Sequence, residues 1–415
     1  MTSGNCFSDL DMSSDAALVD SVGSVLAMPR DDPADSFVLH SALELCARSA
    51  LLPYVAIGRR DEARQRLVDL STGFESFGTA VNEPAEVEHD SLEVGADRLI
   101  AALGRGELDD VDAHSRWLGI RATPGQLQAL LADAVLASLA AAAHAPIFLY
   151  LLPRVAPRGE LSALLLRGLA RELARAPGWQ LAWIDRRRAV EADALGGGDV
   201  FAALARTPAL GTPASTFIFP LMSRVDSDEL AGAVLGPSCG PGEVAARGRA
   251  VLRAAAWSMI AEPNEHAPYG WSHALTMSQG ALGIADACVD PSRALAVAAT
   301  YVMGFRTLAE RPLCAAMPDA MRSASGATAG LTFDESIEGG PVLAASVAWG
   351  RSMVDRRGLM RDLATAAAVH ADAHLVKYTL ACFDAASADA DAAQVHLTAA
   401  ATLAGWWAVN PRSAS

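Results

Sequence analysis

The sequence predicts an all-α protein, and three observations carry that prediction. Of the 415 residues, 52% are hydrophobic but only 6% aromatic, so alanine dominates the apolar content. That composition suits helices packed at close range better than sheets, which favour β-branched and aromatic residues. Apolar residues also recur at helical spacing in one segment after another. Finally, the one stretch that invites a strand, 217–222 (FIFPLM), contains Pro220, and proline cannot donate to a β-ladder. The chain has no 20–50-residue repeat and no sustained heptads. Its length is enough for one large core. Residues 13–410 read as a single helical array, and residues 1–12 as a loosely attached N-terminus.

The elements follow in order. Ser13 or Ser14 caps a helix running through Leu18, Val22 and Val25 to Met28. A proline-flanked loop, 29–35, leads to a helix over 36–57, kinked at Pro53, in which His40 and Glu44 stand one turn apart. Another helix starts at Asp61 and runs to Leu70. Residues 71–90 are polar and irregular, with His89 exposed. Helices are expected near 91–105 and 124–143, separated by the acidic 109–112 run and Pro124. Residues 160–176 form a strongly amphipathic helix with five leucines on one face. A helix over 179–190 carries three arginines, 186–188. A long connection covers 194–216, and a Gly/Pro loop, 236–242, precedes a helix at 243–261. Prolines break 262–270, which leads into His273. Further helices fall at 279–287, 291–308, 342–356, 358–385 and 388–407, with a Gly/Ser/Thr-rich connection near 323–332.

The formal net charge of −15 disfavours nucleic acid and anionic membrane surfaces as partners. Six cysteines are scattered without a CxxC pair, as expected of reduced thiols and not of a structural zinc site. The N-terminus has neither the basic start nor the apolar run of a signal peptide. A cytoplasmic protein is therefore expected. Residues 134–153 carry no formal charge, but His144 and Pro146 sit in their middle, which favours a buried, broken helix over a membrane span.

Several chemistries are disfavoured by pattern. No GxGxxG follows a strand and no Walker A is present, so no tightly bound dinucleotide is expected. The 31–35 stretch (DDPAD) matches a magnesium-diphosphate pattern, but Pro33 opposes the helix that pattern needs; a solvated loop or cap is the better reading. There is no GxSxG elbow and no local Cys/His signature.

The histidines and one lysine are more informative. Lys377 is the only lysine among 33 basic residues. A guanidinium stays protonated, whereas a buried amine can lose its proton and act as a nucleophile. On one continuous helix, His370, His374 and Lys377 would share a face at i, i+4 and i+7. His144 and His273 lie in similarly apolar segments. A metal offers one explanation for several costly burials of imidazole, against the alternative of a lysine stem packed on apolar surface with its head in water.

Three segments, His144-Ala-Pro-Ile-Phe, His273-Ala-Leu-Thr-Met and Asp372-Ala-His-Leu-Val-Lys-Tyr-Thr-Leu-Ala-Cys382, resemble the blocks HGxIR, HAVT and DxHxxKxTxAC of the questin oxidase-like family. The blocks fall in the family's order and at similar separations, and the resemblance spans roughly residues 36–407. It implies a non-haem iron oxygenase of aromatic polyketide metabolism, with four histidines and a carboxylated lysine as metal ligands. Carried over by position, His144, His273 and His374 match ligand histidines and Lys377 the carboxylated lysine. The fourth histidine of the family precedes a turn resembling Ala56-Ile-Gly-Arg59. His40 is the only histidine on that helix, although Cys46 lies nearer the expected offset, and His266 and His370 are further alternatives. Phe148 stands where the family carries arginine.

The expected cofactors are thus Fe(II), with zinc or manganese as alternatives, and a CO2-derived carbamate on Lys377. Asp372 and Glu44 are candidates to orient the rings, and Trp271 and Trp349 to line an apolar pocket. The partners implied are O2 and a small aromatic substrate, an anthraquinone-like quinone or its hydroquinone. Ring cleavage or Baeyer–Villiger-like oxygen insertion would follow. A homodimer is compatible with this reading. The alternatives are a zinc or manganese hydrolase using the carbamate, or a helical binding protein that has lost the metal.

Overall fold

The computed structural model describes residues 14–30, 36–75, 78–155, 157, 159–186, 200–211, 217–227, 241–309, 311–324, 328 and 330–411. The expectations for residues 1–12, the 31–35 motif, Arg187 and Arg188, and most of the 236–242 loop lie outside these residues. The described chain is all-α, and its only β-type pairings are two isolated bridges, Arg30 with Ala80 and Ser138 with Gln180.

In chain order the helices are α1 Asp15–Leu26, α2 Ser36–Leu51, α3 Arg60–Glu75, α4 Leu92–Arg105, α5 Leu108–Arg121, α6 Pro124–Leu136 and α7 Ala145–Val155. There follow α8 Gly159–Ala174, α9 Trp183–Arg186, α10 Val200–Ala205, α11 Ile218–Ser227, α12 Pro241–Ala261, α13 Pro263–His266 and α14 Gly270–Gly283. The last third contributes α15 Pro291–Arg306, α16 Asp319–Ala324, α17 Phe333–Glu338, α18 Pro341–Val354, α19 Arg356–Val369, α20 Ala373–Ala388 and α21 Ala393–Val409. None of the described helices is long and apolar enough to cross a membrane.

Four corrections to the sequence reading matter. The acidic run at 109–112 does not separate helices. It begins one, α5, where carboxylates at the N-terminus oppose the helix dipole favourably. The FIFPLM stretch is helical, as its proline hinted. The helix expected over 124–143 ends at Leu136. Beyond it, Ala141, Ala142 and Ala143 take left-handed φ values of 51°, 50° and 58°, a conformation costing an L-residue about 1–2 kcal/mol each. Lastly, the single helix expected over 358–385 is two, α19 and α20, broken at residues 370–372. Asp372 caps α20 by accepting from the backbone N–H of His374 (2.7 Å), as an N-cap aspartate does.

One large core runs through the array, and a smaller one lies under α1 and α3 around Leu18, Val22, Leu67 and Phe74. Small residues set the closest helix crossings. A Cβ at Gly119 of α5 would fall 2.6 Å from the Cα of Ala163 on α8. One at Gly280 of α14 would fall 2.7 Å from the backbone of Ile147 on α7.

Around the centre, α2, α7, α14 and α20 pack in a closed cycle, each against the next. The Gly280–Ile147 contact is where α14 and α7 meet. Gly280→Ala must push backbone against backbone, and a destabilisation of about 1–3 kcal/mol is expected, as for overpacked cores. Chemical denaturation measures it; an unchanged midpoint would show that this crossing has slack.

Candidate metal centre

Each helix of the central cycle brings a nitrogen donor inward. His40 comes from α2, His144 from the turn that opens α7, His273 from α14, and His374 with Lys377 from α20. All five are buried, with exposures between 2% and 8%. The His40 ring lies edge-on to His144 (centroids 4.8 Å) and to His374 (4.7 Å). His273 lies 4.9 Å from His374 and 5.6 Å from His144. One ring nitrogen from each of His40, His144 and His273 falls within 4.8 Å of the others. These three nitrogens share a centre, and the His374 ring lies edge-on beside His40 and His273.

Hydrogen bonds fix which nitrogen of three rings faces inward. His144 Nδ1 donates to Ala141 O (2.9 Å) and His273 Nδ1 to Tyr269 O (2.7 Å). His374 Nδ1 lies 3.2 Å from Asp372 Oδ1. A carbonyl or carboxylate oxygen can only accept, so the proton sits on Nδ1 and Nε2 keeps its lone pair. Metal-binding histidines are held in this way by their outer partners. The inward Nε2 atoms of His144 and His374 have no hydrogen-bond partner, nor does Lys377 Nζ. An unsatisfied buried polar group costs about 1–3 kcal/mol, so such a cluster is costly unless a Lewis acid ties it together.

Electrostatics agree. Burial, then the Lys377 charge and neighbouring imidazoles, holds His40 and His144 well below the ordinary imidazole range. His273 is lowered by burial, His374 and Lys377, and His374 by burial and Lys377. Burial brings the Lys377 amine down to about 7, against the opposing pull of Asp372 and Glu44. Four neutral imidazoles and an amine that readily loses its proton are donors, not acids.

The local folding of each ligand segment is legible in its contacts. The left-handed turn at 141–143 brings Ala141 O back onto both the backbone N–H and the ring of His144. Tyr269 O likewise receives both His273 N (2.9 Å) and Nδ1. Behind it, Trp271 Nε1 donates to Glu262 O (2.9 Å), and Arg306 pairs with the Glu262 carboxylate at 3.3 Å. The break between α19 and α20 is held by arginines. Arg48 of α2 donates to Ala368 O and to His370 O (2.6 Å), and Arg66 donates to Ala371 O (3.0 Å). The buried Arg48 is neutralised by Glu44, which accepts from Nε at 2.7 Å. Glu44 is thus bound to Arg48, and orienting His40 is not its observed role.

The alternative ligands do not join the cluster. His370 ends α19, accepts from Asp372 N at 3.0 Å and packs on Trp407. It does not share a helix face with His374, because the helix is broken between them. His266 packs edge-on to Trp271 at 5.2 Å. Cys46 lies farther along α2, its thiol pushed up to about 12 by burial alone. Trp271 and Trp349 are packing residues, the latter against Trp257.

Two contributors escaped sequence reasoning. Tyr269 orients His273 through its backbone and packs its ring edge-on to His374 at 4.8 Å, while remaining 45% exposed. The arginine clamp on the α19–α20 break is the other. The only signal for either was position, four residues before His273 and four after Glu44. No protein-family model, curated protein or solved structure matches the chain. What the fold and cluster define is a class by chemistry: a helical protein with a buried three-histidine group, beside which a fourth histidine and a lysine are also buried.

Two outcomes follow from this geometry. Below about pH 6.5 the unfolded chain takes up protons that the buried imidazoles refuse, so it binds more protons than the folded one. Stability must therefore fall as pH drops from 7.5 to 5.5; a denaturation midpoint flat across that range would contradict neutral, buried rings. Arg48→Ala leaves Glu44 buried and unpaired, and should cost about 3–5 kcal/mol. The apolar pair Glu44→Leu/Arg48→Met should cost markedly less in the same denaturation assay.

Proposed function

We propose that this protein is a metal-dependent oxygenase, with iron as the metal, acting on a small aromatic polyketide of the quinone or hydroquinone type. The observation that carries the reading is the grouping of His40, His144 and His273, with the His374 ring against it and the chain's one lysine close enough to act on all four, its Nζ buried without a partner. The donor set fits: imidazoles with one anionic oxygen suit a divalent iron, and zinc and manganese share the preference in part. The anionic oxygen comes from Lys377. Its neutral amine adds to CO2, forming an N–C bond and releasing a proton, and leaves a carboxylate on a long stem. Iron held by these five groups would supply O2 activation and Lewis acidity toward a phenolate.

The remaining tasks fall to the chain. Ala141 O, Tyr269 O and Asp372 hold three of the rings in one tautomer. The surrounding alanine-rich helices keep bulk water out, which strengthens every interaction inside. Tyr269, half-exposed and in contact with His374, marks where an aromatic substrate can approach and stack. Oxidative ring cleavage or Baeyer–Villiger-like insertion is the reaction class this arrangement suits. The free thiols of Cys46, Cys288, Cys314 and Cys382 suit a cytoplasmic setting.

Metal analysis of anaerobically purified protein tests the reading directly. Lys377→Ala, Lys377→Arg and His374→Ala are expected to lose most bound iron while remaining folded by circular dichroism, and 13C-bicarbonate should give a carbamate signal only in the wild type. Wild-type metal content in Lys377→Ala would remove the lysine from the site. Zinc in place of iron, with no O2 uptake on any quinol tried, would point instead to a hydrolase.

A further inference from the structure

In the central cycle α7 packs against α2 and α14, and α20 packs against α14 and α2. The helix that His144 opens and the helix that carries His374 and Lys377 therefore stand on a diagonal, with little direct packing between them. Packed helices are held about 8–10 Å apart by their own side chains; this pair needs another device, and a polar link supplies it. Tyr150 of α7 donates its hydroxyl to Asp384 Oδ2 of α20 at 3.0 Å, and Arg154, one turn on along α7, meets the same carboxylate oxygen at 2.9 Å. The Tyr150 hydroxyl oxygen also accepts from Arg154 Nη2 at 2.8 Å and from Gln279 Nε2 of α14 at 3.4 Å. A Cβ at Gly283 of α14 would collide with the Tyr150 ring, so that glycine lets the ring lie flush on α14.

The link forms a second level of contact. It stands six residues beyond His144 on α7, six beyond His273 on α14 and seven beyond Lys377 on α20, which is about 9–10 Å along each helix at a rise of 1.5 Å per residue. From the histidines to this level the three helices run in the same chain direction, and they meet at both. A slide or tilt of α7 against α20 that moved His144 away from the cluster would also pull Tyr150 from Asp384. Burial, with the Asp384 charge adding to it, pushes the Tyr150 hydroxyl up to about 12, so it stays protonated and donates across the neutral range.

We propose that Tyr150 is a positioning residue of the metal centre, its hydroxyl tying α7 to α20 across the cycle and so fixing the separation of His144 from His374 and Lys377. The inference rests on the reading that the cluster holds a metal, and it is independent of which metal and which reaction. Ligand distances at a bound metal are set to about 0.2 Å. A small widening of that diagonal is therefore felt as weaker binding by the whole donor set.

Cobalt(II) is the probe, because its visible absorption reports the number and geometry of its ligands and needs no turnover. Tyr150→Phe keeps the ring on Gly283 and removes the hydroxyl. Its cobalt affinity should fall about 10–100-fold, the range for outer partners of metal ligands, with altered cobalt bands and a fold retained by circular dichroism. Asp384→Ala should do the same from the other end of the bond, and it carries the test if Tyr150→Phe does not fold. Asp384→Asn keeps an oxygen to accept the bond and should retain most of the affinity. Thr332→Ala removes the capping box of α17, outside the cycle, and should lower stability without changing cobalt affinity or spectrum. A Tyr150→Phe protein that binds cobalt as the wild type does, with the same spectrum, overturns the positioning role and leaves the metal reading standing. Equal losses in Asp384→Asn and Asp384→Ala would assign the effect to the Arg154 ion pair, and a matching loss in Thr332→Ala would assign it to general stability; either overturns the role of Tyr150. A wild type that binds neither cobalt nor iron defeats the metal reading and this inference with it.

Discussion

The structure is organised around the burial of five nitrogen donors in the middle of an alanine-rich helical array. Nothing in such a core is cheap to leave polar, and three of these nitrogens lack partners altogether. The surrounding architecture makes sense as the means of holding that arrangement. Four helices close into a cycle, each contributing donors, and a glycine against the backbone of Ile147 lets two of them approach. The same closeness that packs the core aims the rings.

Holding the rings takes departures from regular helix on two sides and an ordinary helical carbonyl on the third. Left-handed alanines before His144, a carbonyl shared by the backbone and ring of His273, and a helix break before His374 each supply an oxygen acceptor to an Nδ1 atom. The break costs backbone hydrogen bonds, which Arg48 and Arg66 replace from α2 and α3. Arg48 in turn needs Glu44 to offset its own burial. A chain of compensations thus leads from the second helix to His374 on α20. Backbone strain and buried charge concentrate here, as they do at sites where geometry is fixed by function.

Much of this was legible in the sequence, and the legible part has a common cause. Alanine content and helical periodicity reflect local preference, so the fold class, and the positions if not the bounds of most helices, could be read from residues close in the chain. The solitary Lys377 and the histidines in apolar segments were conspicuous because their burial contradicts their chemistry. Capping logic also identifies α5 by its acidic first turn and the start of α20 by the Asp372 cap. Compositional cues gave no hint of the left-handed turn, since alanine is the strongest helix former there is.

What the sequence alone determined, then, is a helical chain with four apolar-segment histidines and one singular lysine. Only the tertiary structure decided that His40 completes the ring and His370 does not. The distinction turns on a clamp spanning more than 300 residues, Arg48 to the carbonyls of Ala368 and His370, and on which helix face meets which. Periodicity specifies that a helix has a buried side, but the partner of that side is set by contacts between segments far apart in the chain, and no local pattern encodes them.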